Sequence, residues 1–420
     1  MVSIEVNYIM SNTTETKLDS INSIDVINVT NLTETNPIET NIIKLDNWNE
    51  CSCYISPTEL NQNDSIDSNL VTLVIIGGYD KPLLGGGDIP WNNYRSNISH
   101  VIIKGKITFN KKYNSLKGLF QCCINLESIE GLNNLDTTNV TDMRCMFGGY
   151  EDDNGCCFIT ELDLSNWNTS NVRDMRWMFS GCTSLFNINL SNWNTFSLIK
   201  MRGMFNKCCQ LTKLDISHFN TSNVIDMIEV FNNCCSLTEL DVSNWNTAKV
   251  IDMECMFKNC YCLTKLDVSH FNVSNVYCTY EMFDGCCSLT ELDVSKWKTP
   301  KLIDTVHMFV NCSKLTKLDV SKWNAINLKD TKWTFESCVR LTELDLSSWL
   351  FNETCMFEMF YNCPQLKSVD LSSIAYIDHQ DDIMGMFYNC NQLESIKFSN
   401  AFDYNQYFKP MFDLYVEDDD

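Results

Sequence analysis

The sequence predicts an α/β repeat fold, a solenoid with a parallel β-sheet on one face and short helices on the other. Three observations predict it. A recurring Leu-Thr-Glu-Leu-Asp-Val-Ser-Asn-Trp-Asn-Thr string carries an acid at Asp163, Asp215, Asp241, Asp267, Asp293, Asp319, Asp345 and Asp370, with Asn189 filling the gap; every step is 26 residues except the last, which is 25. A second string, Asp-Met-x-x-Met-Phe-x-x-Cys, keeps the same beat, with its ring at Phe147, Phe179, Phe205, Phe231, Phe257, Phe283, Phe309, Phe335, Phe360 and Phe387. Within each unit the apolar period changes from two to three or four. A fixed period of this length marks stacked repeats, each of which buries its apolar faces only against its neighbours.

Residues 237–262 show how one unit is built. Leu237, Leu240 and Val242 follow an L-x-x-L-x-L spacing, and Trp245 comes three residues later. This is the strand pattern of a leucine-rich repeat, with Trp at the inward corner. Leu240 and Val242 share one strand face, so Asp241 and Ser243 point the other way. Val250, Met253, Phe257 and Cys260 are spaced as one face of a helix. Asp252 would then sit in its first turn, satisfying free N–H groups and the helix dipole.

The stretch from Leu237 to Cys260 resembles the BspA-like leucine-rich repeat surface proteins, whose hallmark is a 26-residue repeat of this kind. The resemblance covers roughly residues 88 to 399. Ile89-Pro90-Trp91-Asn92-Asn93-Tyr94-Arg95, followed by Val101-Ile102-Ile103, is similar to the lead-in before the family's first repeat. It implies an extracellular or surface interaction protein, often an adhesin or lipoprotein. The sequence departs from that pattern in showing no signal peptide and no lipobox at its start. The expectation is therefore a cytoplasmic or particle-associated protein rather than a secreted one.

Four regions are expected along the chain. Residues 1–67 read as a polar, partly disordered segment, poor in aromatics. Residues 68–113 read as an N-terminal β cap, with strands at Asn69–Ile76 and Val101–Phe109. Residues 114–399 hold about ten repeats, opened by a half-unit at Leu116, Leu119, Phe120 and Cys123. Six extra residues, Tyr150 to Gly155, interrupt the array and predict a protruding loop. The units around Trp349 and Ile374 lose the Asn-Val-x-Asp-Met string, so distortion is expected there. Residues 400–420 read as a C-terminal cap with an acidic tail, Glu417 to Asp420.

Composition excludes whole classes of partner. The formal net charge of −23 disfavours nucleic acid and anionic membranes, which need a cationic surface. No apolar run is long enough to span a bilayer. The 23 cysteines are odd in number, no signal peptide is visible and the core is large enough without staples, which predicts reduced, buried thiols. The Met-Phe column reads as core, Met filling irregular gaps. The aromatic column of Trp167, Trp193, Phe219, Trp245, Phe271, Trp297, Trp323 and Trp349 reads as core by register; turned outward, it would make a sugar-binding stripe.

What remains for function is the outward strand face. The candidate interaction surface is Glu161, Asp163, Lys213, Asp215, His218, Glu239, Asp241, Asn244, Lys265, Asp267, His270, Glu291, Asp293, Lys296, Lys317, Asp319 and Lys322. From Lys213 onward the sign alternates two residues before each Asp, which places opposite charges side by side in parallel strands. The Asp column needs relief from Ser and Asn hydrogen bonds, lysines or cations. His218 and His270 are two repeats, about 10 Å, apart, too far for one metal. Gly77-Gly78 and Gly85-Gly86-Gly87 lack the Gly-Lys-Ser/Thr ending of a phosphate loop. No catalytic arrangement, cofactor or metal is expected. The reading is a non-enzymatic scaffold with a protein partner; the alternatives are a structural component of a surface or virus particle and a carbohydrate-binding adhesin. A calcium stripe along the Asp column is not expected, so titrating calcium should leave the melting temperature unchanged; a rise of several degrees would refute this.

Overall fold

The computed structural model describes residues 42–57, 70–81, 83–150, 154–351, 354–374, 376–377 and 379–413. The readings for residues 1–41, the tip of the insert at 151–153 and the acidic tail fall outside the described residues.

The N-terminal part is a five-stranded sheet. Strands β1 (Ile43–Lys44), β2 (Ser52–Pro57) and β3 (Val71–Ile76) pair antiparallel. After β4 (Leu83–Leu84) come β5 (Ile98–Lys104), parallel to β3, and β6 (Ile107–Thr108), parallel to β4. Strand β7 (Ser128–Glu130) pairs parallel to β5 and carries the sheet into the repeats. The sequence reading gave the region of β1 and β2 no strands, yet Trp48, Cys51, Cys53 and Ile55 are buried there. The single strand expected at Val101–Phe109 is two, because Gly105 turns the chain at φ +70°. Trp48 meets Trp91 edge-on at 5.7 Å, and Trp91 stacks on Phe120 at 6.5 Å, so a tryptophan pair covers the first turn of the array.

From there the chain coils as a parallel solenoid of the leucine-rich type. Short strands recur at the predicted Leu-Asp stretch: β8 (Glu161–Asp163) beside β9 (Asn187–Asn189), β10 (Glu239–Leu240) beside β11 (Lys265–Leu266), and β12 (Glu343–Asp345), β13 (Ser368–Leu371) and β14 (Ser395–Phe398) together. The pairing register is one repeat: Glu239 faces Lys265 and Leu240 faces Leu266.

Among the described residues the short helices are mostly absent, single 3-10 turns such as Leu132–Asn134 and Thr137–Asn139 aside. The helix-like spacing of Val250, Met253, Phe257 and Cys260 belongs to two successive tight turns. Met256 N–H donates to Met253 C=O and Cys260 N–H to Phe257 C=O. The third residue of each turn is left-handed, Cys255 at φ +53° and Asn259 at φ +59°. A right-handed helix cannot run through a positive φ, which a type II turn requires. The alternate N–H groups leave the unit: those of Cys255, Phe257 and Asn259 donate to Tyr280, Met282 and Asp284 in the next turn. Asp252 is accordingly no helix cap; its Oδ1 accepts the N–H of Glu254, two residues on. Among the described residues the one α-helix is α1 (Tyr404–Phe412), beyond the repeats.

Three columns fill the core. Phenylalanine rings from Phe120 to Phe387 stack with centroids 5.2 to 5.9 Å apart. From Cys182 onward each column thiol donates to the carbonyl of a phenylalanine one turn back, as Cys260 does to Phe231 at 3.3 Å and Cys286 to Phe257 at 3.2 Å. Burial pushes these thiols up, Cys182 and Cys338 to about 12, which keeps them protonated donors. In the unit with the insert, Cys156 takes the thiol's place, donating to Phe120 C=O at 3.3 Å. The tryptophans are buried, Trp297, Trp323 and Trp349 to 1% exposure or less. Their indole N–H groups donate one turn back, Trp297 to Val268 and Trp323 to Val294, both at 3.0 Å. Thr221 and Thr247 Oγ1 each donate to an asparagine carbonyl one turn on and accept that residue's N–H. At the far end α1 acts as a last turn: Gly385 and Phe387 N–H donate to Pro410 and Met411 C=O, and Phe412 packs on Phe387 at 5.7 Å.

Phe257→Ala should lower the unfolding free energy by about 3–5 kcal/mol, while Glu239→Ala on the strand face should move it by less than about 0.5 kcal/mol. Urea unfolding of the two variants checks this; equal effects would contradict the ring column as the core.

Candidate functional site

All the strand-face candidates, from Glu161 to Lys322, are exposed. The alternating charges are in register, with Glu239 opposite Lys265. Neither they nor Lys213, Glu291 and Lys317 close into ion pairs among the described residues; the strand-face pairs that do close are Lys397 with Asp370, at 2.8 Å, and His218 with Asp215, at 4.0 Å. The Asp column is relieved locally. In Asp163, Asp241, Asp267 and Asp293, Oδ1 accepts the N–H of the serine two residues on, at 3.0 to 3.1 Å. Hydrogen bonds from those serines hold the four carboxyls below the usual range. His218 is tied down, Nε2 lying 3.1 Å from Leu190 C=O and the ring edge-on to Phe219 at 5.2 Å. His270 packs the same way on Phe271. Asn244 donates its amide N–H to Ser217 C=O at 3.0 Å.

The tight turns create a second outward face that the helical reading hid. Its spine is a column of inter-turn bridges through Asp142, Asp174, Lys200, Asp226, Asp252, Cys278, Asp304 and Asp330. Asp252, Glu254 and Cys278 bring ligand atoms within 4.8 Å of one another. These three are the described residues placed to hold a metal ion, two oxygens and a sulfur suiting a borderline divalent cation. Burial pushes the Cys278 thiol up to about 12, and Tyr277 Oη donates to Asp252 Oδ2 at 2.8 Å.

The apex of the first turn forms the next column. Cys255, Glu281, His307, Trp333 and Glu358 occupy it, all at positive φ. These are bulky side chains in a sparsely populated conformation, the kind of outlier worth testing for a role. Glu281 is buried at its centre. It accepts from Cys255 Sγ at 3.3 Å, forms an ion pair with Lys258 and lies 3.4 Å from His307 Nδ1. Lys258 also reaches Asp284 at 3.7 Å. His307 lies 4.8 Å from the Trp333 ring, whose N–H donates to Glu358 at 2.9 Å. One signal was available in the sequence. Inside the repeated Asp-Met-x-x-Met-Phe string, the two x positions change chemistry most from unit to unit, reading Arg-Cys, Arg-Trp, Glu-Cys and Lys-Trp at 144, 176, 254 and 332.

A stack of identical turns with ordered outward columns defines the leucine-rich-type class of solenoid. The chain belongs to the family described as Mycoplasma protein of unknown function, DUF285, which matches residues 114–237, 155–266, 209–318 and 286–401. Four overlapping matches to one family are what a repeat array produces. No curated protein matches the sequence. Among solved structures, a leucine rich cell surface protein from Faecalibacterium prausnitzii is 14% identical, with 89% of this chain and 98% of that one covered at a TM-score of 0.29. A TLR13-ssRNA13 complex is also 14% identical, with 76% of this chain and 42% of that one covered at a TM-score of 0.28.

Glu281 makes stability depend on acid. Burial acts to raise its pKa, but hydrogen bonds from His307, Lys258 and Cys255 outweigh that and hold the carboxyl at about 2, against 4.5 for a free glutamate. A depressed pKa contributes stability that is present above 4.5 and lost as pH falls through about 2. Glu281→Gln should therefore be less stable at neutral pH by about 3 kcal/mol. The gap should narrow between pH 4.5 and 2, as urea unfolding at several pH values will report; a gap independent of pH would refute the assignment.

Proposed function

We propose that this protein is a non-enzymatic scaffold that binds a protein partner on its strand face, in the manner the BspA-like resemblance implies for surface proteins. One observation carries the reading. Exposed lysines and glutamates recur at a fixed pitch, Glu239 in register with Lys265, yet remain unpaired and open to a partner. Charges held on a rigid ladder are already ordered, so a complementary partner meets little ordering cost. The sugar-binding alternative loses its support, because the aromatic column it needs is buried.

The non-enzymatic part of the reading is supported by the site that most resembles catalytic machinery. Cys255, Glu281, Lys258 and His307 meet there, but burial and the adjoining Glu281 carboxylate push the Cys255 thiol up. An activated nucleophile needs the opposite shift.

Immobilised protein and a Lys213→Glu, Lys265→Glu, Lys317→Glu variant should be compared for partner capture by quantitative mass spectrometry. The three sites are exposed, so the variant should melt like the parent. Capture of the specific partner should fall about tenfold or more; undiminished capture would remove the strand face from the proposal.

A further inference from the structure

Two columns of the second face change character over the same turns. Upstream, the acids of the bridge column are neutralised: Asp142 pairs with Arg144 and Asp174 with Arg176, both at 2.7 Å. Downstream, Asp330 pairs with Lys332 at 3.1 Å. Between them the equivalent positions hold Arg202, which reaches Glu229 at 3.9 Å, and then, with no cation, Ile228, Glu254, Tyr280 and Val306. Asp226, Asp252, Glu254 and Asp304 consequently have no ionic partner among the described residues. Burial pushes the carboxyls of Asp226, Glu254 and Asp304 up.

The column just before the acids changes in step. It carries Arg173 at one end and Lys329 at the other. In the uncompensated window it carries Ile225, Ile251, Tyr277 and Ile303, exposed by 37%, 44%, 42% and 44%. A single exposed isoleucine is ordinary, but these four sit on successive turns joined N–H to C=O at 2.9 to 3.1 Å. They form a continuous apolar strip about 14 Å long at the usual strand spacing, with uncompensated carboxylates along its edge. Contiguous exposed apolar surface with a charged margin is the composition of a docking site.

We propose that this strip binds a short, extended, basic segment of a partner protein, with apolar side chains on Ile225, Ile251, Tyr277 and Ile303 and lysines or arginines on Asp226, Glu254 and Asp304. Charge complementarity selects that occupant. Nucleic acid and anionic membranes are repelled by the same carboxylates, and a second copy of the chain would set acid against acid. The cationic flanks at Arg176, Arg202 and Lys332 bound the window and fix its register. The inference rests on the interaction-scaffold reading and adds to it a second surface and the chemistry of what binds there.

The probe is a labelled peptide of about eight residues alternating lysine and leucine, long enough to span the strip in extended form. A lysine–serine peptide of equal charge and a glutamate–leucine peptide are the controls. The full chain should bind the lysine–leucine peptide in fluorescence anisotropy, the lysine–serine peptide about tenfold more weakly, and the glutamate–leucine peptide not at all. Ile251→Ser with Ile303→Ser, and separately Asp226→Asn with Glu254→Gln and Asp304→Asn, should each weaken binding about tenfold. Ile251 and Ile303 are exposed, the three acids are half-buried, and Asn keeps the oxygen that accepts the local N–H at 226 and 304, so both variants should melt like the parent. The strand-face variant with Lys213, Lys265 and Lys317 reversed should bind the peptide no more weakly than the parent. Binding unchanged in both strip variants would overturn the proposal. So would binding weakened only in the strand-face variant, although the scaffold reading would then stand on that face alone. A concentration-dependent dimer abolished by Ile251→Ser with Ile303→Ser would assign the strip to self-association and overturn it as well.

Discussion

Each turn of this protein is closed by the turn beside it. The alternate N–H groups of the Met-Phe-Cys half, the indole N–H groups of the buried tryptophan column and the column thiols from Cys182 onward find their acceptors one repeat away. Removing a neighbour would strip those donors of their acceptors and expose the apolar face that the neighbour covers. The phenylalanine column sets the same condition from inside, because its rings meet nearly parallel at 5.2 to 5.9 Å only when adjacent turns are in register. Backbone pitch and ring stacking therefore agree on one separation. Cooperativity passes along the axis from neighbour to neighbour, as expected of a quasi-one-dimensional fold.

The repeat, its strand half and its buried aromatic column are legible in the sequence because each rests on a strict apolar period. The helices are where periodicity misleads. Two tight turns in succession place Met253, Phe257 and Cys260 on one side of the chain, as a helix would. What separates the two is the apex residue, and Asn or Gly at Asn233, Asn259, Gly285 and Asn311 was the available sign. The strands at 43–57 escaped for another reason: each is short, and the pattern of Cys51, Cys53 and Ile55 is brief beside the polar residues around it. The outward strand residues were placed correctly as exposed by the period of two alone. The second face was hidden as a consequence of the helical reading, which spread its columns around a cylinder.

The two faces do different electrostatic work. On the strand face, serines two residues on absorb the like charges of the Asp column, so that the lysines and glutamates beside it remain unpaired. On the second face, arginines and a lysine neutralise the acids at both ends and desert the middle. An array copied from one unit can thus carry local instructions, because the two variable positions inside the Met-x-x-Met string lie outside the columns that hold the turns together.

The α1 segment that stands in for a final turn has a consequence for assembly. A parallel stack presents an unpaired hydrogen-bonding edge at each end, and such an edge templates continuation of the array. Two bare ends on one molecule are complementary, and head-to-tail joining of that kind does not close, so it builds filaments. Here Pro410 and Met411 occupy the acceptor positions of the turn that would follow, and Phe412 lies over the last ring. The tryptophan pair Trp48 and Trp91 covers the opposite end. The same residues that complete the core thereby set a fixed length and keep a polymerisable architecture discrete.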